Sequence, residues 1–179
     1  SVQEFQNIEI DFTDINKLNL DMVTELCQRD IDSNGLAIKI QATMERRAAL
    51  ENAKYVFNMV RIGGLEAFKT DIDIPMKYGI DQCIGDTLTP GGIMRCVRTL
   101  PILQEMARDI QKICPKAVVL NYTNPMGMLS KGFIEEAPDL AYVGLCHSVQ
   151  GTAQEWADRL ALSLDEINYL CAGINHEAW

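Results

Sequence analysis

The sequence has little that would carry it into a membrane or onto a nucleic acid. Its longest apolar runs, such as Ala117-Val118-Val119-Leu120, fall far short of the roughly 20 residues that cross a bilayer as a helix, and no basic stretch followed by an apolar one stands at its start. The expectation is a chain with neither a membrane span nor a secretory signal. Positive charge is scarce: 16 Lys and Arg face 25 Asp and Glu, for a net charge of -9. That balance repels a phosphate backbone and argues against DNA or RNA as partner. Paired cysteines are missing too. Cys27, Cys83, Cys96, Cys114, Cys146 and Cys171 include no CxxC, which excludes a disulfide scaffold or a zinc ribbon and suits a reduced, cytoplasmic protein. With no internal repeat, low-complexity tract or Pro/Gly/Ser-rich linker, residues 1–179 are expected to form one domain.

What is present is an alternation of strand and helix patterns. Ile8 to Phe12 alternates apolar and polar, and Asn16 then caps a helix whose Leu20, Val23, Leu26 and Cys27 recur at helical spacing until Gly35 stops it. Ala37 to Ala42 reads as a second strand, Glu45 to Asn52 as a short helix, and Tyr55 to Val60 as a third strand closed by Gly63-Gly64. A loop leads to a second pair, Gly91-Gly92. Ile93 to Ile113 reads as a long helix that Pro101 kinks or divides. Val118 to Leu120 is a continuous apolar strand of the kind buried on both faces of a parallel sheet. A helix from Asn124-Pro125 to about Glu136, a strand from Ala141 to Leu145 and a helix from Val149 to Leu162 follow. Ser163 and Glu166 then form a capping box ahead of the apolar run Tyr169 to Ile174, which reads as a last strand ending at Asn175-His176. Parallel neighbours are reached only by crossing over the sheet, so the pattern implies an α/β, doubly wound parallel sheet.

Ligands bind such sheets outside the carboxyl ends of the strands, and there the conspicuous polar residues gather. Asp14 is placed either to accept hydrogen bonds from an adenosine ribose or simply to cap a helix. The glycine-rich G-x-G-x-x-G that should precede it is missing, so a dinucleotide-binding fold here would begin after its first strand and phosphate loop. Gly63-Gly64 and Gly91-Gly92 admit close backbone approach to a cofactor, or serve as turns. Asn124-Pro125 aims an amide at a small ligand or starts an Asx-turn. Cys146 with His176 offers a thiolate and an imidazole for a metal, with His147 beside them; the alternative is a buried small hydrophobe and an ordinary histidine.

Four stretches carry a more specific signal: Asp86-Thr87-Leu88-Thr89-Pro90-Gly91-Gly92-Ile93-Met94-Arg95, Asn121-Tyr122-Thr123-Asn124-Pro125-Met126, Gly144-Leu145-Cys146-His147-Ser148 and Gly173-Ile174-Asn175-His176. In composition and order they resemble glycoside hydrolase family 4, whose NAD-dependent members depart from the two-carboxylate mechanism. Cys-His-Ser is similar to the branch with α-galactosidase, α-glucosidase and uronidase members; phospho-glycosidase relatives tend to carry Asp or Asn where this chain has His147.

The resemblance implies a Rossmann-like NAD-binding domain, lacking its first strand and phosphate loop, within a longer glycosidase whose substrate domain lies beyond Trp179. It implies NAD and manganese (Mn2+) as cofactors, with C3 oxidation of the sugar, loss of the C2 proton, elimination and addition of water. Residue by residue, it implies Cys146 and His176 as metal ligands, Asn124 as a holder of the sugar hydroxyls, and Asp86 as a residue that raises the basicity of the catalytic base. His147 stands at the proton-donor position, in contact with substrate. Asp14, Ile62, Gly63, Gly64 and Asn121 form the cofactor-binding edge. The implied partner is a small-molecule glycoside, in a homo-oligomer. A lactate/malate-type 2-hydroxyacid dehydrogenase also sets an Asn-Pro after a central strand, but it has no use for a cysteine beside its histidine. A non-catalytic NAD-binding module is the remaining alternative.

Overall fold

The computed structural model of the chain describes residues 7–82, 85, 87–173 and 179. They fall into two compact units, one within Ser1–Lys54 and Asp109–Pro115, the other within Tyr55–Arg108 and Lys116–Trp179.

In the first unit β1 (Glu9–Thr13) and β2 (Lys39–Thr43) pair in parallel, with Ile10 opposite Ile40 and Phe12 opposite Ala42. The crossover is α1 (Lys17–Asn34). Its ends are set by local chemistry. The Asn16 side chain accepts from the Asn19 N–H at 3.1 Å, and Gly35 takes the left-handed conformation (φ +60) while the Leu36 N–H closes back on Ile31 at 3.0 Å. A short α2 (Arg46–Ala49) follows β2. Leu20, Ile31, Leu50, Ile110 and Cys114 are buried here, and so is one carboxylate, that of Asp109. It accepts from Arg46 Nε at 3.0 Å, from Arg46 Nη2, and from Arg47 Nε at 3.0 Å. Burial pushes the Asp109 carboxyl up, but the hydrogen bonds and charges of Arg46 and Arg47 outweigh it and hold the group below the usual carboxylate range.

The second unit carries β3 (Tyr55–Asn58), β4 (Val118–Asn121) and β5 (Ala141–Gly144), all parallel, in the order β3-β4-β5. Two helices, α3 (Gly64–Met76) and α4 (Pro90–Ile113), separate β3 from β4 in the chain; α5 (Met126–Glu136) links β4 to β5, and α6 (Ser148–Leu160) follows β5. Leu103, Val119, Leu129 and Phe133 are buried to 1% exposure or less. Phe133 stacks on Tyr142 with ring centroids 4.4 Å apart. The capping box forms as expected, with Ser163 N–H and Oγ both bonded to Glu166 Oε2 ahead of a short 3-10 turn, Leu164–Glu166. Among the described residues no helix is long and apolar enough to cross a membrane.

The parallel α/β class holds, and several details differ from the sequence reading. The stretch after Gly63-Gly64 is not only loop, because α3 begins there, and Gly91-Gly92 belong to the first turn of α4. Pro101 does not divide α4. The carbonyl it deprives of a helical donor is that of Val97, on the exposed face of the helix that both residues share, where solvent replaces the lost bond. β4 is buried on one face only: Tyr55, Phe57 and Val143, on the other face, are 43–60% exposed. The described part of the Tyr169 run forms no strand. No neighbouring strand pairs with it, and Leu170 stays 77% exposed.

Replacing Asp109 by Asn is expected to cost about 1.5–3 kcal/mol in urea unfolding at neutral pH, the range for hydrogen bonds to charged groups. Because the carboxyl titrates lower in the folded chain than in the unfolded one, the difference is complete above the ordinary value of about 3.9 and fades as pH falls below it. A difference that stays constant into strong acid would refute the ion pair.

Candidate active site

The three strands of the second unit end in register, Asn58 opposite Asn121 and Asn121 opposite Gly144. Asn121 has no exposed surface, and its amide is spent internally: Oδ1 accepts from Asn58 Nδ2 at 2.7 Å and from the Thr123 N–H at 3.3 Å, while Nδ2 donates to the Thr123 carbonyl at 2.9 Å. Two backbone bonds carry the pairing past the strand ends, Tyr122 N–H to the Asn58 carbonyl (2.9 Å) and Leu145 N–H to the Asn121 carbonyl (2.8 Å). Thr123 Oγ1 donates to the Val60 carbonyl at 3.1 Å. The segments after all three strands are thus tied to one another by bonds that centre on the buried Asn121 and Thr123. Among the described residues Asn58 Oδ1 has no hydrogen-bond partner, an orphan acceptor of the sort that functional sites tolerate.

At these ends lies a cavity of about 640 Å³. Phe57, Met59 and Val60 give it an apolar wall, Tyr122, Thr123 and Asn124 a polar one, and Arg61, Arg95 and His147 its basic groups. No carboxylate among the described residues lines it, although the chain as a whole is strongly acidic. Asn124 precedes a cis peptide bond to Pro125, and its Oδ1 accepts from the Met126 N–H at 3.4 Å, so the turn at the start of α5 and a place in the cavity wall are both realised. His147 opens α6, is exposed, and has its ring 6.0 Å from that of Tyr122. The half-buried Cys146 directly precedes it; its Sγ is 2.9 Å from Ser148 Oγ.

Gly63 caps α3 with φ +82 and Gly64 follows at φ +61, both in conformations that favour glycine, while Ile62 beside them is half-buried. In the first unit, Asp14 Oδ1 accepts from the Asn16 N–H at 2.7 Å, which is the turn role; among the described residues no other hydrogen bond engages this exposed carboxylate. Asp86 and His176 lie outside the described residues. Among those described, no three His, Cys, Asp or Glu side chains assemble into a metal site, so Cys146 is the one expected ligand that the structure places.

Arg95, Arg61 and Asn58 were not singled out by the sequence reasoning. For Arg95 a signal existed. It shares a helical stripe with Gly91, Thr99, Leu103 and Ala107, all buried, and a cation on the inward face of a helix points to a function.

A family model described as family 4 glycosyl hydrolase matches residues 1–162. An α-galactosidase of Rhizobium meliloti is 43% identical over the whole of this chain and 36% of its own length, and one from Bacillus subtilis is 41% identical over 80% of this chain and 33% of its own. The chain therefore spans about a third of the length of the curated relatives it matches. Among solved structures, the 6-phospho-β-glucosidase of Thermotoga maritima, determined with manganese, NAD+ and glucose-6-phosphate, superposes with a TM-score of 0.79 at 26% identity, covering 89% of this chain and 38% of that one.

Asn121→Ala removes the partner of Asn58 Nδ2 and of both Thr123 backbone groups at a buried position. A loss of at least about 2 kcal/mol is expected, since each orphaned buried group costs about 1–3 kcal/mol. Thermal unfolding within a degree of the wild type would show that the network does not hold the strand ends.

Proposed function

Since the chain belongs to family 4 of the glycosyl hydrolases, we propose that it provides the NAD-binding, Rossmann-like part, residues 1–179, of an enzyme that hydrolyses O-glycosidic bonds of the α-galactoside or α-glucoside type. The observation that carries this reading is the convergence of Asn124, His147 and Arg95 on one cavity at the carboxyl ends of parallel strands, with Cys146 adjoining it.

The glycines fit a dinucleotide. Gly64 stands where an added Cβ would meet nothing within 4 Å, so backbone is bare at the start of α3 and open to a ligand. In the first unit Asp14 would hold the adenosine ribose through the oxygen that its turn leaves over. Ile62 would pack on the cofactor, and Asn121 would act through the strand ends it fixes. For the metal, Cys146 and His176 would be the ligands. Thiolate and imidazole alone favour zinc-like ions, and manganese, which a solved relative contains, needs oxygens from the sugar to complete its shell. When bound, NAD supplies reversible oxidation at C3 of the sugar, and the metal a Lewis acid for its oxygens.

The chain's own side chains do the rest. Asn124 presents its carboxamide to the sugar hydroxyls, and Arg95 of the same lining donates to its oxygens, so the ring is oriented before any bond changes. His147, exposed at the cavity, protonates the departing glycosidic oxygen. Asp86 raises the basicity of the group that removes the C2 proton. The glycoside is the partner this site suits, in a homo-oligomer. A reducing, cytoplasmic setting suits a site that relies on the thiol of Cys146.

Turnover by the full-length enzyme in heavy water is expected to place deuterium at C2 of the released sugar, and to need NAD+ without net reduction of it. Product with only hydrogen at C2, formed at full rate without NAD+, would overturn the reading. Cys146→Ser should abolish metal-dependent turnover while leaving the fold intact, and undiminished turnover of that variant under chelation would remove Cys146 from the ligand set. Asp14→Ala should weaken NAD+ binding by about 1–3 kcal/mol, the cost of ribose hydroxyls left without a partner; unchanged affinity would leave Asp14 with its turn alone.

A further inference from the structure

α3 contains a proline in its last turn, and the neighbourhood is built around the consequence. Pro75 is buried and has no N–H to give the carbonyl four residues back, that of Asp71. Gln82 supplies the missing donor: its Nε2 bonds to the Asp71 carbonyl at 3.0 Å. The oxygen of the same carboxamide accepts from the Gly91 N–H at 3.0 Å, a first-turn donor of α4 that its own helix leaves unpaired. One side chain, 5% exposed, thus closes an orphan acceptor on α3 and an orphan donor on α4. Residue 91 must be glycine for the backbones to come so close, because an added Cβ would lie 2.6 Å from the Asp71 carbonyl oxygen and 2.8 Å from that of Gly85.

The Asp71 side chain makes a second link. Its carboxylate, 3% exposed, receives the guanidinium fork of Arg98, with Nη2 at 2.6 Å and Nη1 at 3.1 Å. The stem of Arg98 then passes under the start of α3, where an added Cβ on Gly63 would sit 3.1 Å from Arg98 Cδ and 2.5 Å from the Ala67 Cβ. Gly63 is therefore packed from within, while Gly64 beside it faces open space.

We propose that Asp71, Arg98 and Gln82 are positioning residues for the dinucleotide: they lock the two left-handed glycines at the start of α3 onto α4, so that the bare backbone at Gly64 is in place before NAD+ arrives. The inference rests on the cofactor reading above and extends it to side chains that touch no ligand. Free glycines carry more conformational entropy than any other residue, and a cofactor that had to order them would lose that much affinity. A fork and a bridging carboxamide remove the cost in advance. This role predicts a loss confined to NAD+, whereas a clamp that only stabilised the fold would affect cofactor and sugar alike.

The test is equilibrium binding of NAD+ to the full-length protein, by dialysis, for the wild type, Arg98→Lys and Gln82→Met. Lysine keeps the charge and loses the fork; methionine keeps the shape and loses both hydrogen bonds. In each variant the NAD+ dissociation constant should rise about tenfold, the equivalent of about one hydrogen bond, with the glycoside KM at saturating NAD+ within about twofold of the wild type. NAD+ affinity within about twofold of the wild type in both variants, or equal losses for NAD+ and glycoside, would overturn the proposal. If a variant does not fold, hydrogen exchange of the wild type decides: NAD+ should slow exchange in residues 64–71 and also at Gly91, and protection that stops at the glycines overturns the proposal. A wild type without affinity for NAD+ would overturn the cofactor reading itself, and this inference with it.

Discussion

A single buried hydrogen bond, from Asn58 Nδ2 to Asn121 Oδ1, underlies the rest of the site. It joins two neighbouring parallel strands at their carboxyl ends, beside the backbone bond from the Tyr122 N–H to the Asn58 carbonyl that carries the pairing one residue further. Asn121 then turns its remaining capacity on Thr123, and Thr123 reaches back to Val60. Segments that carry Arg61, Asn124 and His147 thereby leave the sheet from fixed points. The groups that line the cavity stand at the ends of strands paired in register and joined by hydrogen bonds, the kind of support that precise positioning needs.

How far this was legible in the sequence depended on whether a residue's role is local. Asn16, Gly35 and the Ser163–Glu166 box mark their turns through their own side chains and backbone, and each was readable. The strand ends were readable too, because period and punctuation locate them to within a residue or two. α3 was not, since a glycine pair reads as a turn, and only the left-handed geometry of Gly63 shows that it begins a helix. The Tyr169 run has strand composition, but a strand exists only if another accepts its hydrogen bonds. At the site, Asn124, Cys146 and His147 could be placed by their positions after β4 and β5. Arg95 was legible only in part: the stripe it shares with Thr99, Leu103 and Ala107 marks the inward face of α4, but what that face meets is set by packing.

Two prolines inside helices of the second unit, Pro101 and Pro75, show the same sequence signal with opposite physical outcomes. Pro101 leaves its orphan carbonyl on the outside of a helix and solvent absorbs the loss. Pro75 leaves one on the inside, where nothing but protein can answer. An identical local defect is trivial in one place and organises its surroundings in the other, and the difference is accessibility to water.

The answer to Pro75 also has a historical side. Any other residue at that position would bring an amide hydrogen of its own to the Asp71 carbonyl and leave the Gln82 amino group redundant; any residue at 82 without a carboxamide would strand that carbonyl as long as the proline remains. The two positions, seven apart in the chain and on different segments, are therefore free to drift only in concert. Gly91 is drawn into the same bargain by the oxygen end of the carboxamide. Lineages descended from a common ancestor should either keep the trio or replace it together, so that an alignment would register the bridge as correlated change before anyone saw it as a contact.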